Sequence, residues 1–139
     1  MNGFLLDTNI ISELVRPRPA PEVRDWVAAM DESLLFLSVL TLGEIRKGVT
    51  LLKDESRRAV LEVWLASDLA FRFAGRILVI DEAVADRWGR LSALAGPNKP
   101  LPVIDGLLAA TALQHNLTLV TRNTKDVLAT GVPVINPWI

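Results

Sequence analysis

The chain of 139 residues contains no cysteine and a single histidine. The first absence excludes disulfides and thiolate metal sites, and it fits a reducing compartment. The second leaves Ser–His and Cys–His catalysis little to work with. A zinc site would have His115 alone among the usual nitrogen and sulfur ligands. Any metal is therefore expected to be a hard cation held by carboxylates. Long apolar runs are also missing, and none approaches the roughly 20 residues that a membrane span needs. The opening MNGFLLDTNII has no basic stretch, and Asp7 interrupts its apolar run, so no targeting segment is expected. An excess of one charge is lacking too. Fifteen basic and sixteen acidic residues leave a net charge of −1, unlike the footprint of a tight, non-specific nucleic-acid binder. A nucleic-acid enzyme with this balance has to use a local basic rim or hold its substrate weakly.

What is present is apolar. Half of the residues are hydrophobic, enough to build one packed domain over residues 1–139 without covalent staples. There is no internal repeat, low-complexity tract or linker. Short β-rich runs at Phe4–Leu6, Leu35–Val39, Ile77–Ile80, Thr118–Thr121 and Val132–Ile135 predict strands. Helices are expected at Asn9–Val15, Pro21–Met30, Leu42–Leu52, about Glu55–Phe73, Glu82–Leu94 and Val103–His115. Pro21 stands at a helix start, where its missing N–H does no harm. Asp81 is a good N-cap for the helix that follows it. Apolar strands alternating with such helices argue for an α/β fold with a parallel sheet covered on both faces. Ligands in these sheets bind beyond the carboxyl ends of the strands.

Four carboxylates fall where that rule directs attention. Asp7 follows the first strand. Glu44 is expected in the first turn of the helix after the second strand. Asp105 opens a helix behind Pro100-Leu101-Pro102, and Asp126 lies just beyond the fourth strand. Each has a plain structural reading. Asp7 is a plausible N-cap, Thr41-x-x-Glu44 is a capping box, and Asp105 suits a helix dipole. Capping does not explain why all four gather at one sheet edge. Converging carboxylates repel unless a cation neutralises them or one takes a proton. Mg²⁺ suits them, because it takes one or two carboxylates together with waters and phosphate oxygens. Such a site polarises a phosphodiester and activates water for in-line attack. Asp7 and Asp105 are then the core metal ligands. Glu44 holds a metal-bound water or a second ion, and Asp126 and Asn123 complete the outer shell. The hydroxyls of Thr8 and Thr121 are placed to orient ligands or water.

Leu6-Asp7-Thr8-Asn9, Glu44 and Asp105 on helices, and Thr121-Arg122-Asn123-Thr124-Lys125-Asp126 together resemble the PIN domain. More narrowly the chain is similar to VapC toxins of the FitB-like branch, a likeness strengthened by the ending Gly131-Val132-Pro133-Val134-Ile135-Asn136-Pro137-Trp138. The match runs through the whole chain in order. The resemblance implies a PIN-like three-layer α/β/α sandwich with a central parallel sheet. It implies a Mg²⁺- or Mn²⁺-dependent endoribonuclease in the cytoplasm, acting on RNA as the toxin of a VapBC-like toxin–antitoxin pair. It also implies a cognate VapB-like antitoxin, contact with DNA only through that antitoxin, a homodimer and no membrane. In some PIN domains a carboxylate stands close to the position of Asn123, where this chain has an amide.

Arg46, Lys47, Arg122 and Lys125, with Arg16 and Arg18, lie close in sequence to the acidic motifs and form a candidate rim for RNA phosphates. The Val60–Phe73 segment, with Trp64, Phe71 and Phe73, is more apolar than one helical face requires. It suggests a groove for a partner helix or a dimer surface as readily as core. His115 and Trp138 read as structural. Two rival functions remain open to the sequence. An aspartate-nucleophile phosphatase needs Asp-x-Asp after its first strand, and this chain has Asp7-Thr8-Asn9. A non-catalytic PIN-fold module acting through an antitoxin and DNA would have no use for the acidic set.

Overall fold

The computed structural model describes residues 2–139. Five strands, β1 Phe4–Leu6, β2 Leu35–Ser38, β3 Ile77–Leu78, β4 Thr118–Val120 and β5 Val134–Ile135, form one sheet. Its order is β3-β2-β1-β4-β5, and every pairing is parallel. From β1 the chain first builds outward to β2 and β3, then crosses back to lay β4 and β5 on the other side. The direction of building thus reverses between β1 and β4, and their carboxyl ends frame the crevice where such sheets bind ligands.

Alternation along each strand feeds two cores. Leu6, Leu35, Leu37 and Val120 point to one face, against Ile10 and Ile11 of α1 (Thr8–Leu14), Val23 and Val27 of α2 (Pro21–Ala29) and Ile45 and Val49 of α3 (Val39–Thr50). Leu65, Leu69 and Phe73 complete that core. Leu5 and Leu119 point to the other face, with Phe36 and Leu78 packed beside them, against Leu108, Ala109 and Ala112 of α7 (Val103–Gln114). The second helix layer also holds α6 (Glu82–Ala95), packed on α7. Two apolar faces under helices make the three-layer α/β/α sandwich expected from the strand pattern.

Several boundaries move, each for a local reason. Ser38 closes β2 in extended geometry, and its hydroxyl accepts from the Leu40 N–H. It is therefore the N-cap, and α3 starts at Val39 rather than Leu42. The capping-box reading of Thr41 and Glu44 fails as a result. Glu44 lies in the second turn, and Thr41 is buried with its hydroxyl unpaired among the described residues. The long helix expected from Glu55 to Phe73 is α4 (Glu55–Val63), a π-helical stretch at Trp64–Leu69 and a last turn, α5 (Ala70–Arg72). β3 ends at Leu78 and β5 begins at Val134, so both edge strands are shorter than their apolar runs. A short helix absent from the sequence reading, α8 (Thr124–Val127), follows β4 and carries Asp126 in its first turn.

Candidate active site

The Asp7 carboxylate is fixed from both neighbouring elements. Its backbone N–H donates to the Val120 carbonyl at 2.9 Å, continuing the β1–β4 ladder by one step. It then caps α1, its Oδ1 accepting from the Thr8 N–H at 2.7 Å. The Thr121 hydroxyl, 2.7 Å away, donates to Oδ2. That hydroxyl also accepts from the Asn123 N–H at 3.0 Å, so its proton is committed to Asp7. The Asn9 side-chain amide bridges the same pair, with Nδ2 3.4 Å from Asp7 Oδ2 and 3.3 Å from Thr121 Oγ1. Asn9 Oδ1 accepts from the Arg122 N–H at 3.4 Å, tying the two loops together.

Glu44 reaches the same crevice from α3, although its place in that helix is a turn later than the sequence suggested. The Thr8 hydroxyl donates to Glu44 Oε1 at 2.5 Å. Thr8 and Thr121 therefore do the same work on opposite sides, each aiming one carboxylate. Asp105 enters from the first turn of α7, whose start is set by tight packing on α6. A Cβ on the adjacent Gly106 would lie 2.8 Å from the Leu101 side chain and 3.2 Å from Trp88. The Asp105 side chain has no hydrogen-bond partner among the described residues, and neither does that of Asp126.

Charge shows how closely these groups gather. The carboxyl of Asp105 is pushed up to about 6, first by burial and then by the negative charges of Asp7, Asp126 and Glu44. That of Asp7 is also raised. Burial raises it most, the bonds from Thr121 and Thr8 work against that, and Glu44 adds repulsion. No salt bridge among the described residues reaches any of the four. Asp105 thus feels the charges of the other three sequence-nominated acids, and Asp7 that of Glu44. Among the described residues, no three carboxylate or imidazole groups stand close enough to enclose an ion. The donors that the four acids present are oxygens only.

The nominated basic residues divide. Arg46 turns toward Glu62 on α4, at 3.8 Å. Lys47 is exposed in the last turn of α3, and Lys125 is exposed on α8. Arg122, next to Thr121, holds its guanidinium 4.8 Å over the Trp138 ring. That stacking escaped the sequence reading, which took Trp138 as core. Trp138 does pack against the first core, and nothing in its spacing from Arg122 announces the contact.

A second feature adjoins the acids. An open apolar groove of about 690 Å³ runs along α4, lined by Val15, Ala59, Val60, Leu61, Val63, Trp64 and Asp68. A smaller pocket of about 180 Å³ between α1, α3 and α4 continues it and includes Glu44 in its wall. Val60, Val63 and Phe71 are largely exposed, while Leu65, Leu69 and Phe73 are buried. The surplus apolar residues of this segment are therefore at the surface. No helix among the described residues is long and apolar enough to cross a membrane.

The chain is 42% identical over 136 residues to Toxin FitB of Neisseria gonorrhoeae, covering 97% of this chain and 98% of that protein. It is 35% identical to a VapC ribonuclease of Sinorhizobium fredii, covering 97% of each. The crystal structure of FitAcB from Neisseria gonorrhoeae superposes with a TM-score of 0.93 at 41% identity, over 97% of this chain and 98% of that one. The family model of the PIN domain matches residues 4–129, a span that holds β1, the crevice and all four acids. With its parallel sheet and acidic carboxyl edge, the chain belongs to the PIN-domain family.

Proposed function

We propose that this protein is a divalent-metal-dependent endoribonuclease and the toxin of a VapBC-like toxin–antitoxin pair. The observation that carries the reading is that three carboxylates bear on Asp105, with no ion pair to any of the four among the described residues, at the switch point of the sheet. A cation relieves that repulsion, and an oxygen-only donor set selects a hard one, Mg²⁺ or Mn²⁺. When bound, it would neutralise phosphodiester charge and make water a better nucleophile at neutral pH. Asp7 and Asp105 would hold it. Asp105 offers both oxygens free of hydrogen bonds among the described residues, and Asp7 Oδ1 keeps a lone pair beyond its bond from the Thr8 N–H. Glu44 keeps Oε2 unbonded while Thr8 fixes Oε1, so it can take a proton from water or position a second ion. Asp126 and Asn123 close the outer side from α8. Because Asp126 acts on Asp105 through its charge, it has the better claim of the two.

Ribonuclease activity and the toxin role come to this chain from its relatives, and the unpaired acids support them. The apolar groove on α4 is the surface on which a VapB-like antitoxin segment would lie. DNA would be met only through that antitoxin. Residues 1–139 form one PIN unit in this reading, which acts in the cytoplasm as a homodimer. Inducing the chain alone in its native host should arrest growth, and Glu44→Gln at matched expression should relieve the arrest. Unaffected growth at verified expression of the wild type would contradict the toxin role.

A further inference from the structure

An acidic pocket that cuts RNA has a problem of approach. The substrate brings negative charge to a mouth already negative. A cation bound inside neutralises the reacting phosphate, but the next phosphates along the strand need partners of their own. Of the four basic residues nominated around the site, Arg46 faces Glu62, and Lys47 and Lys125 are exposed without a fixing contact. Arg122 alone is held in position. It follows Thr121, which bonds Asp7, and its own N–H donates to Asn9 Oδ1. At the other end its guanidinium lies over the Trp138 ring. The guanidinium has no ion pair or hydrogen bond among the described residues.

The indole beneath it is itself anchored. Trp138 is half-buried against the first core, its backbone N–H donates to Asn136 Oδ1 at 2.9 Å, and Pro137 beside it is buried. A guanidinium held over an indole by its charge keeps its N–H donors available to another partner. A planar fork of free donors at a fixed place suits two oxygens of one phosphate. The face of Trp138 under Arg122 is covered, so an RNA base cannot stack there.

We propose that Arg122, seated on Trp138, binds a phosphate of single-stranded RNA flanking the cleaved bond, and that Trp138 is the positioning residue for that contact. The inference rests on the ribonuclease reading and assigns one substrate contact within it. The test uses a fluorescein-labelled 20-nucleotide RNA of mixed sequence and the full chain. Anisotropy in chelator over a salt series gives Kd and its salt slope, and cleavage of the same strand in Mg²⁺ gives KM and kcat. Arg122→Ala should raise Kd and KM about tenfold, leave kcat within about twofold, and flatten the salt slope by about 0.7, one single-strand phosphate contact. Arg122→Lys should keep the slope yet bind about threefold more weakly, because a point charge replaces a stacked fork. Trp138→Phe should match the wild type, while Trp138→Ala should weaken binding with the slope unchanged. Should Trp138→Ala fail to fold, the other three variants decide the matter. Wild-type Kd and slope in Arg122→Ala, or a fall in kcat with KM unchanged, would overturn the assignment. A wild type that neither binds nor cleaves the strand would defeat the ribonuclease reading, and this inference with it. Cleavage by the wild type matched by Arg122→Ala defeats this inference alone.

Discussion

The crevice at the carboxyl ends of β1 and β4 and the groove along α4 violate opposite rules of a folded domain. The crevice gathers four like charges with no counter-charge paired to them among the described residues. The groove leaves Val60 and Val63 in water. In the crevice, two of the acids are aimed by specific bonds: Thr121 and Thr8 to Asp7, Thr8 to Glu44. In the groove, aliphatic surface does the work and geometry is loose. The contrast separates two kinds of recognition. A small cation and a phosphodiester require fixed oxygens, whereas a peptide helix requires area and shape. The two regions touch at Glu44, which belongs to the crevice by its bond to Thr8 and to the groove by lining its inner pocket.

If that division holds, disturbing one region should spare the other. The largest effect is expected in the crevice. Mg²⁺ at a hundredfold excess over its Kd should stabilise the wild type by about 2.7 kcal/mol. An Asp7→Asn, Asp105→Asn double variant should lose most of that gain. Thermal melting in Mg²⁺ against NaCl of matched ionic strength reads the difference, since salt alone screens repulsion. Equal metal-specific shifts in both proteins would return these aspartates to plain capping roles.

A smaller effect is expected in the groove. Val63 is 64% exposed, so Val63→Asp should hardly change the melting temperature. It would place an unpaired charge under a docked apolar segment and weaken the antitoxin by about tenfold or more. RNA cleavage should be unchanged. Titration of purified antitoxin against nuclease activity checks both halves of that statement.

The smallest effect concerns protons. The Asp105 carboxyl is raised to about 6, above the ordinary carboxylate range. The folded state therefore holds this proton more tightly than the unfolded chain. The site costs stability above pH 6, and the cost fades as pH falls toward 4. In metal-free buffer, Asp105→Asn should be more stable than the wild type at pH 7, and the gap should close by about pH 4. Solvent screens the half-exposed group, so the gap is modest. A gap that widens on acidification would reverse the sign and refute the electrostatic account.

Both regions were partly legible in sequence, for different reasons. β1 was found residue for residue, because an apolar run broken by Asp7 leaves no other reading. The acids were visible because strand ends and helix starts locate them without any long-range information. Glu44 was assigned to its helix but a turn too early, because Val39 and Leu40 look like strand, and only the Ser38 bond to the Leu40 N–H shows that the helix has begun. The groove appeared as surplus hydrophobicity in Val60–Phe73, yet the π-helical stretch at Trp64–Leu69 has no local signature. Arg46 and Arg122 looked equivalent in sequence. Their partners, Glu62 and Trp138, lie 16 residues on in each case, and spacing carried no hint of which was an acid pair and which a stack.

The central claim is that the four acids form a metal-dependent nuclease site, and its most direct measurement is cleavage of an RNA pool by purified protein. The wild type should cut in Mg²⁺ and stop in chelator. Folded Asp7→Asn should be slower by more than about a hundredfold, beyond what loss of an outer-shell contact costs. Full cleavage by folded Asp7→Asn, or undiminished wild-type cleavage in chelator, would contradict it.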